Sequence, residues 1–174
     1  MKKQFLPLML LASAICSCSE KQPETTEPMI TKTEIQVENG QFTPEIMHRL
    51  GKVGDVQVSP DHSKILYGVT YTSIEQNKGN RELYLMNVDG SENVKITNTP
   101  KSESNARWIN DSQIIYMRSG KLYTATIEGS TLKNETEVAG AEGMESFELS
   151  PAGDKLMFIK SVKAAQKPTD VYAD

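Results

Sequence analysis

The chain has 174 residues, 37% of them hydrophobic, with a formal charge of −4. That length allows one ordinary domain with a modest core, and the composition excludes coiled coil, collagen and wholesale disorder. Lys and Arg are scattered along the chain, which excludes the clustered basic surface that a nucleic-acid partner requires.

Residues 1–17 read as a signal segment. Lys2 and Lys3 give a charged start, and Leu6 to Ile15 form an apolar run broken only by Pro7 and Ser13. Such a run is too short to cross a bilayer as a helix but has the length of a secretory signal. It ends at Cys16-Ser17-Cys18. With Ile15 three places before it and Ser17 directly before it, Cys18 resembles the acylated cysteine of a bacterial lipoprotein; a plain secretory signal is the alternative reading. Cys18 is thus the lipidation site expected. The protein is then expected beyond the inner membrane, periplasmic or held at the outer membrane through the lipid. Cys16 and Cys18 are the only cysteines, so the folded part carries no disulfide, zinc thiolate or cysteine nucleophile. Removal of 1–17 leaves 17 basic against 23 acidic residues, a charge of −6.

Residues 18–41 read as a flexible tether. They are polar, contain Pro23 and Pro28, and show no sustained period, so they bury little surface. As a random coil the spacer would span roughly 25 Å. A short helix is expected within 42–52. Thr43 caps it, Pro44 suits its first position, Glu45 favours its positive end and Gly51 stops it. His48 on this helix reads as a packing or surface residue.

From 53 to 174 the chain repeats itself. Val58-Ser59-Pro60-Asp61, Trp108-Ile109-Asn110-Asp111 and Leu149-Ser150-Pro151-Ala152 each set an apolar residue before a polar turn. Seven residues on come Ile65, Ile115 and Leu156; nine on come Tyr67, Met117 and Phe158. A second motif recurs twice: Leu83-Tyr84 before Val88-Asp89-Gly90, and Leu122-Tyr123 before Ile127-Glu128-Gly129. An insertion around Ser73 to Asn80 lengthens the loop before its first copy. Ile65, Tyr67, Val69 and Tyr71 alternate as on a strand. Leu156 to Ile159 is apolar at every position, as in a strand covered on both faces. Polar turns punctuate the runs. Four strands per repeat make an all-β chain, a partial β-propeller of about two and a half blades over 53–100, 101–140 and 141–174. A β-sandwich with coincidental spacing is the competing architecture.

The Ser59-Pro60-Asp61 turn with Ile65 and Tyr67, followed by Leu83-Tyr84 to Gly90 and Ile96-Thr97, resembles blades of Tol-type periplasmic propellers. It also resembles propellers of the prolyl oligopeptidase family of serine peptidases. The succession of Phe42-Thr43-Pro44-Glu45, Val58-Ser59-Pro60-Asp61, Arg81-Glu82-Leu83-Tyr84 and Lys167-Pro168-Thr169-Asp170-Val171-Tyr172-Ala173-Asp174 is similar to the amino-terminal region of bacterial secreted dipeptidyl and acylaminoacyl peptidases of that family. His62 stands where the family's turn has Gly, a position that takes left-handed backbone. The resemblance implies a propeller that caps an α/β-hydrolase domain with a Ser-Asp-His triad and admits small peptides. No Gly-x-Ser-x-Gly elbow occurs here, and only His48 and His62 are present. We therefore expect no catalytic residue in this chain, no cofactor, no metal, and a peptide substrate only in the context of a longer protein. The alternatives are a non-enzymatic, lipid-anchored binding module and a truncated product without its own function. Arg107 and Glu148 on the first strands of their repeats could face a central channel, but a solvated strand position is the favoured reading of both, and no substrate residue is assigned. Asn134-Glu135-Thr136 is a chance glycosylation triplet, and Glu142 and Glu145 flank Gly143 in an exposed turn.

Overall fold

The computed structural model describes residues 28–162. The signal segment, Cys18, the first part of the expected tether and the Lys167–Asp174 motif lie outside the described residues.

The described chain is all-β apart from one 3-10 turn (Glu38–Gly40) and one short helix, α1 (Pro44–Arg49). In α1 the Thr43 hydroxyl accepts from the Ile46 amide at 3.4 Å, and Leu50 returns to extended backbone before Gly51. Ten strands follow: β1 (Lys52–Val58), β2 (Lys64–Ser73), β3 (Lys78–Asn87), β4 (Val94–Lys95), β5 (Glu103–Trp108), β6 (Gln113–Arg118), β7 (Lys121–Glu128), β8 (Thr131–Glu137), β9 (Met144–Leu149) and β10 (Leu156–Lys160). They form three antiparallel sheets in strict chain order, β1–β4, β5–β8 and β9–β10. Connections between neighbours in sequence are short, which is why no crossover is needed. No sheet closes into a barrel.

The core lies in two seams. Leu66, Leu83 and Leu85 of the first sheet meet Ala106, Ile114, Tyr116, Ala125 and Ile127 of the second. The opposite face of the second sheet, Ile115, Met117 and Leu122, meets Ala141, Met144 and Phe147. Strand β6 is therefore apolar at successive positions because both of its faces are covered.

The repeat holds with one change of register. Val58 pairs Ile65 and Leu149 pairs Leu156, but Trp108 pairs Ile114 rather than Ile115. The second turn is one residue tighter: Ile109 N donates to Gln113 O, whereas Ser59 N donates to Lys64 O and Ser150 N to Lys155 O. The counterpart of Tyr67 is consequently Tyr116, not Met117. Side chains confirm the shift, since Tyr67 stacks on Tyr84 at 5.5 Å and Tyr116 on Tyr123 at 6.0 Å. A one-residue slip would have sent each ring to the wrong face.

Two further expectations are corrected. Residues 73–80 lengthen strands rather than a loop: β2 and β3 pair continuously out to Ser73 with Lys78. And β10 is not covered on both faces, for Met157, Phe158 and Ile159 are 65, 49 and 57% exposed. The second sheet reaches only one side of the third, and nothing packs on the other among the described residues.

The left-handed position in the first turn is real. His62 has φ 59°, and Gly153 in the corresponding third turn has φ 70°. Ser59 secures that turn by taking the Lys64 amide at 2.9 Å and donating to Asp61 at 2.6 Å. Ser150 repeats the arrangement with Lys155 and Asp154.

Candidate functional site

The first strands of the three sheets, β1, β5 and β9, stand side by side and carry a row of polar contacts. The row is built on bulges. Between Gly54 and Gln57 the β1 register shifts, and between Ser104 and Arg107 the β5 register shifts in the same way. Each bulge holds one residue in left-handed backbone, Asp55 (φ 51°) and Asn105 (φ 52°), a conformation Asp and Asn tolerate best after Gly. The bulge turns these short polar side chains toward the next sheet. Asp55 Oδ2 accepts the Asn105 amide at 3.2 Å, and Asn105 Nδ2 donates to the Phe147 carbonyl at 2.8 Å.

Arg81 feeds the row from β3. Its guanidinium lies across Gly68 and Gly54, which face each other in the β1–β2 pairing, and reaches Asp55 at 2.9 Å. A Cβ at Gly68 would stand 2.2 Å from Arg81 Nε, so glycine is needed there for the side chain to pass. Arg107 and Glu148, the two channel candidates, are brought together as an ion pair of 3.4 Å between β5 and β9. Glu148 remains 59% exposed, and such a pair contributes little to stability in water.

A second polar group lies at the rim of the first seam. Glu82 and Glu103 are both buried. Glu82 accepts from the Thr97 hydroxyl at 2.7 Å and from Asn80 and the Thr99 amide at 3.2 Å. Glu103 accepts from the Thr99 hydroxyl at 2.8 Å and stands 3.1 Å from Arg118. Burial pushes the Glu103 carboxyl up to about 7, with the Thr99 hydroxyl opposing and the nearby Glu82 adding to the rise. Arg118 also contacts Glu135 and lies 4.6 Å from the centre of the Tyr123 ring. Tyr116 donates to Glu135, and its burial raises the phenol well above its ordinary value.

Neither group contains a histidine. His48 sits in the last turn of α1 and His62 in the β1–β2 turn. Among the described residues, no hydrogen bond joins either imidazole to a serine or a carboxylate. Among those residues, no group of three or more His, Cys, Asp or Glu is placed to hold a metal, and no helix is long and apolar enough to cross a membrane. Glu142 accepts from the Gly140 amide and Glu145 from Ser161, both at the surface. A groove of about 540 Å³ between Pro28–Thr31, Thr33, Arg49 and Thr72–Gln76 has Glu45, Arg49 and Glu75 as its charged lining. Its Glu75 carboxyl is held below the usual range by its own backbone amide and by Ser73.

Sequence reasoning found Arg107 and Glu148 but not Asp55, Asn105 or the Glu82–Glu103 group. The available signals were Gly54 and Gly68, small residues inside strands, and an acid, Glu82, beside the apolar run Leu83–Met86.

No protein-family model matches the chain. It is similar to Dipeptidyl-peptidase 5 of Porphyromonas gingivalis, 29% identical over 136 residues, which are 76% of this chain and 20% of that protein. It is also similar to Dipeptidyl-peptidase 5 of Porphyromonas endodontalis, 25% identical over 147 residues, 82% of this chain and 21% of that protein. The chain thus spans about a fifth of the length of these curated relatives. The similarity supports a relation to peptidases of this kind.

Proposed function

We propose that this chain is the leading β-propeller portion of a secreted serine exopeptidase of the prolyl oligopeptidase family. In the whole protein it would gate access to an α/β-hydrolase domain. One observation carries the reading. The chain resembles two dipeptidyl peptidases over a stretch that consists here of three successive antiparallel sheets, each built on the same strand–turn–strand unit. Sheets stacked through their faces, with first strands adjacent, are the arrangement of blades around an axis. On this reading Arg107 and Glu148 stand beside the axial channel, and the contribution of the portion to specificity is steric: it limits the size of peptide that reaches the nucleophile. Acyl transfer belongs to the serine and histidine of the catalytic domain. Cys18 would carry a lipid that holds the protein at a membrane outside the cytoplasm.

The test is immunoprecipitation from the source cells with antibody raised against the exposed Ile74–Asn77 hairpin turn. The expected product is a polypeptide several times the 19.3 kDa of this chain that releases dipeptides from a chromogenic dipeptidyl substrate, with the released label blocked by a serine-directed phosphonate. A product of this chain's own size, or a longer one without phosphonate-sensitive release, would overturn the proposal.

A further inference from the structure

Residues 28–33 belong to the stretch read from the sequence as a tether, yet they lie against the first sheet. The Gln76 side-chain amide donates to the Pro28 carbonyl at 3.0 Å, and the Asn80 amide donates to the Ile30 carbonyl at 3.4 Å. Asn80 is itself buried and held in place, since the same nitrogen donates to Glu82 at 3.2 Å and to the Thr99 carbonyl at 2.9 Å. The chain then passes through α1 and rejoins the sheet at Gly51, beside Val69 and Tyr71. The leading segment thus starts and finishes at one end of the first sheet, the end of the β2–β3 hairpin.

The opposite end is formed by the turns that follow the first and third strands of the sheets. These turns gather together: Ser130 donates to Glu92 at 3.5 Å, and Gly153 lies against the Ile109 carbonyl. They carry Asp61, Asp89, Glu92, Asp111, Glu128 and Asp154, all exposed, against Lys64 and Lys155. Strand β3, of 10 residues, separates the two ends by roughly 33 Å.

We propose that the β2–β3 hairpin end is the membrane-facing end of the protein, its partner a lipid surface, with the acidic turns directed away from it. This rests on the reading of Cys18 as the lipid-bearing residue. With the chain clasped at Pro28, ten residue steps separate the lipid from the sheet, and they reach at most about 35 Å. The hairpin end is within that reach at any extension. The acidic end is within it only when those steps run nearly straight along the sheet, which forfeits most of their conformational freedom. Without the clasp, the steps from Cys18 to Thr43 would reach about 85 Å and allow either end. Charge acts in the same direction. An anionic bilayer repels the carboxylates of the acidic turns once they come within a Debye length, whereas Lys78 and Lys101 border the clasped segment at the other end.

Two variants of the full chain test this, Ile74→Cys and Val88→Cys, which change one exposed residue on either side of β3. Each is expressed with its own leader in a bacterium that acylates lipoproteins. The introduced thiol is then the only free one, because Cys16 leaves with the signal and Cys18 carries the lipid. Each thiol is labelled with a donor dye, and the chain is reconstituted in phosphatidylethanolamine–phosphatidylglycerol vesicles that contain a rhodamine-lipid acceptor. Given the separation of the two ends, energy transfer to the membrane should be about fivefold stronger from the Ile74→Cys label than from the Val88→Cys label. Gln76→Ala with Asn80→Ala opens the clasp and should bring that ratio toward one, with circular dichroism to establish that the variant folds. Should it not fold, the two labels on the otherwise unaltered chain still decide. On an acylated chain, equal transfer from both labels, stronger transfer from the Val88→Cys label, or a ratio that survives opening of the clasp in the folded variant would overturn this proposal and leave the anchor reading standing. A mature chain whose Cys18 bears no acyl group, read by mass spectrometry, would overturn the anchor reading and the orientation with it.

Discussion

The two seams share a backbone plan but differ in chemistry. The seam between the first and second sheets combines a leucine–tyrosine centre with a rim of buried carboxylates, threonines and Arg118. The seam between the second and third is apolar at its centre, with Phe147 as its largest buried side chain, and its polar support is the Asn105 side chain on the Phe147 carbonyl. One joint is held by shape and by a buried cluster of carboxylates, threonines and an arginine, the other by shape, the Asn105 amide and the exposed Arg107–Glu148 pair. Buried polar clusters add specificity at a cost in desolvation. The first joint should therefore be sensitive to pH, and the second only to volume.

The largest expected effect strikes the apolar joint. Phe147→Ala should lower unfolding free energy by about 3–5 kcal/mol, since it removes a fully buried ring with few ways for the site to collapse; urea midpoints measure it. If the loss is under about 1 kcal/mol, Phe147 does not hold that joint.

The next effect separates the joints by pH. The Glu103 carboxyl is raised to about 7 in the fold from an ordinary value of 4.5, chiefly by burial. The fold therefore binds the proton more tightly than the unfolded chain does. The stability linked to that proton is fully present below about pH 4.5 and is lost as pH climbs toward 7, by about 2–3 kcal/mol in total. Glu103→Gln should remove this loss, so that the variant gains on the original chain from pH 4.5 to 7. Parallel curves for the two proteins across that range would show that Glu103 is not protonated in the fold.

Gly68→Ala should cost about 1–3 kcal/mol by overpacking, because the new methyl meets Arg81 and displaces it from Asp55. Combined with Arg81→Ala, the methyl should be tolerated and the two losses should not add, which a double-mutant cycle of thermal midpoints reads directly. Additive losses would show that Gly68 and Arg81 do not meet.

The smallest effect compares the first and third turns. His62→Gly should stabilise by about 0.5–1 kcal/mol, as left-handed backbone is freely available to glycine. Gly153→Ala should destabilise, its methyl falling 2.8 Å from the Ile109 carbonyl. Equal signs for the two substitutions would remove the correspondence between the turns.

What could be read from the sequence followed from local patterning. Alternation in Ile65–Tyr71, the Thr43-Pro44 start and the recurring turns were enough for an all-β chain with one short helix and repeated units. The strained turn at His62 was equally legible, since a position that glycine fills in related turns announces its backbone. Register was harder. Ile114 and Ile115 are both apolar because β6 is covered on both faces, so hydrophobicity alone could not say which pairs Trp108. The difference lay in a turn one residue tighter, which only hydrogen bonding reveals. The covering of β10 was misjudged for a related reason: an apolar strand reports that it is suited to burial, not that a partner is at hand. The inter-sheet row escaped notice because Asp55 and Asn105 do their work through bulges, and a bulge leaves no period in the sequence.

Trp108 is the chain's one tryptophan, and it packs into the first seam with its indole nitrogen 3.4 Å from the Gln57 carbonyl. Its emission is therefore a local gauge. Parting of the first two sheets moves the indole into water and shifts its light to the red, whereas loosening of the third sheet leaves the colour unchanged. A single optical measurement can thus order the opening of the two joints in time, without any label being attached.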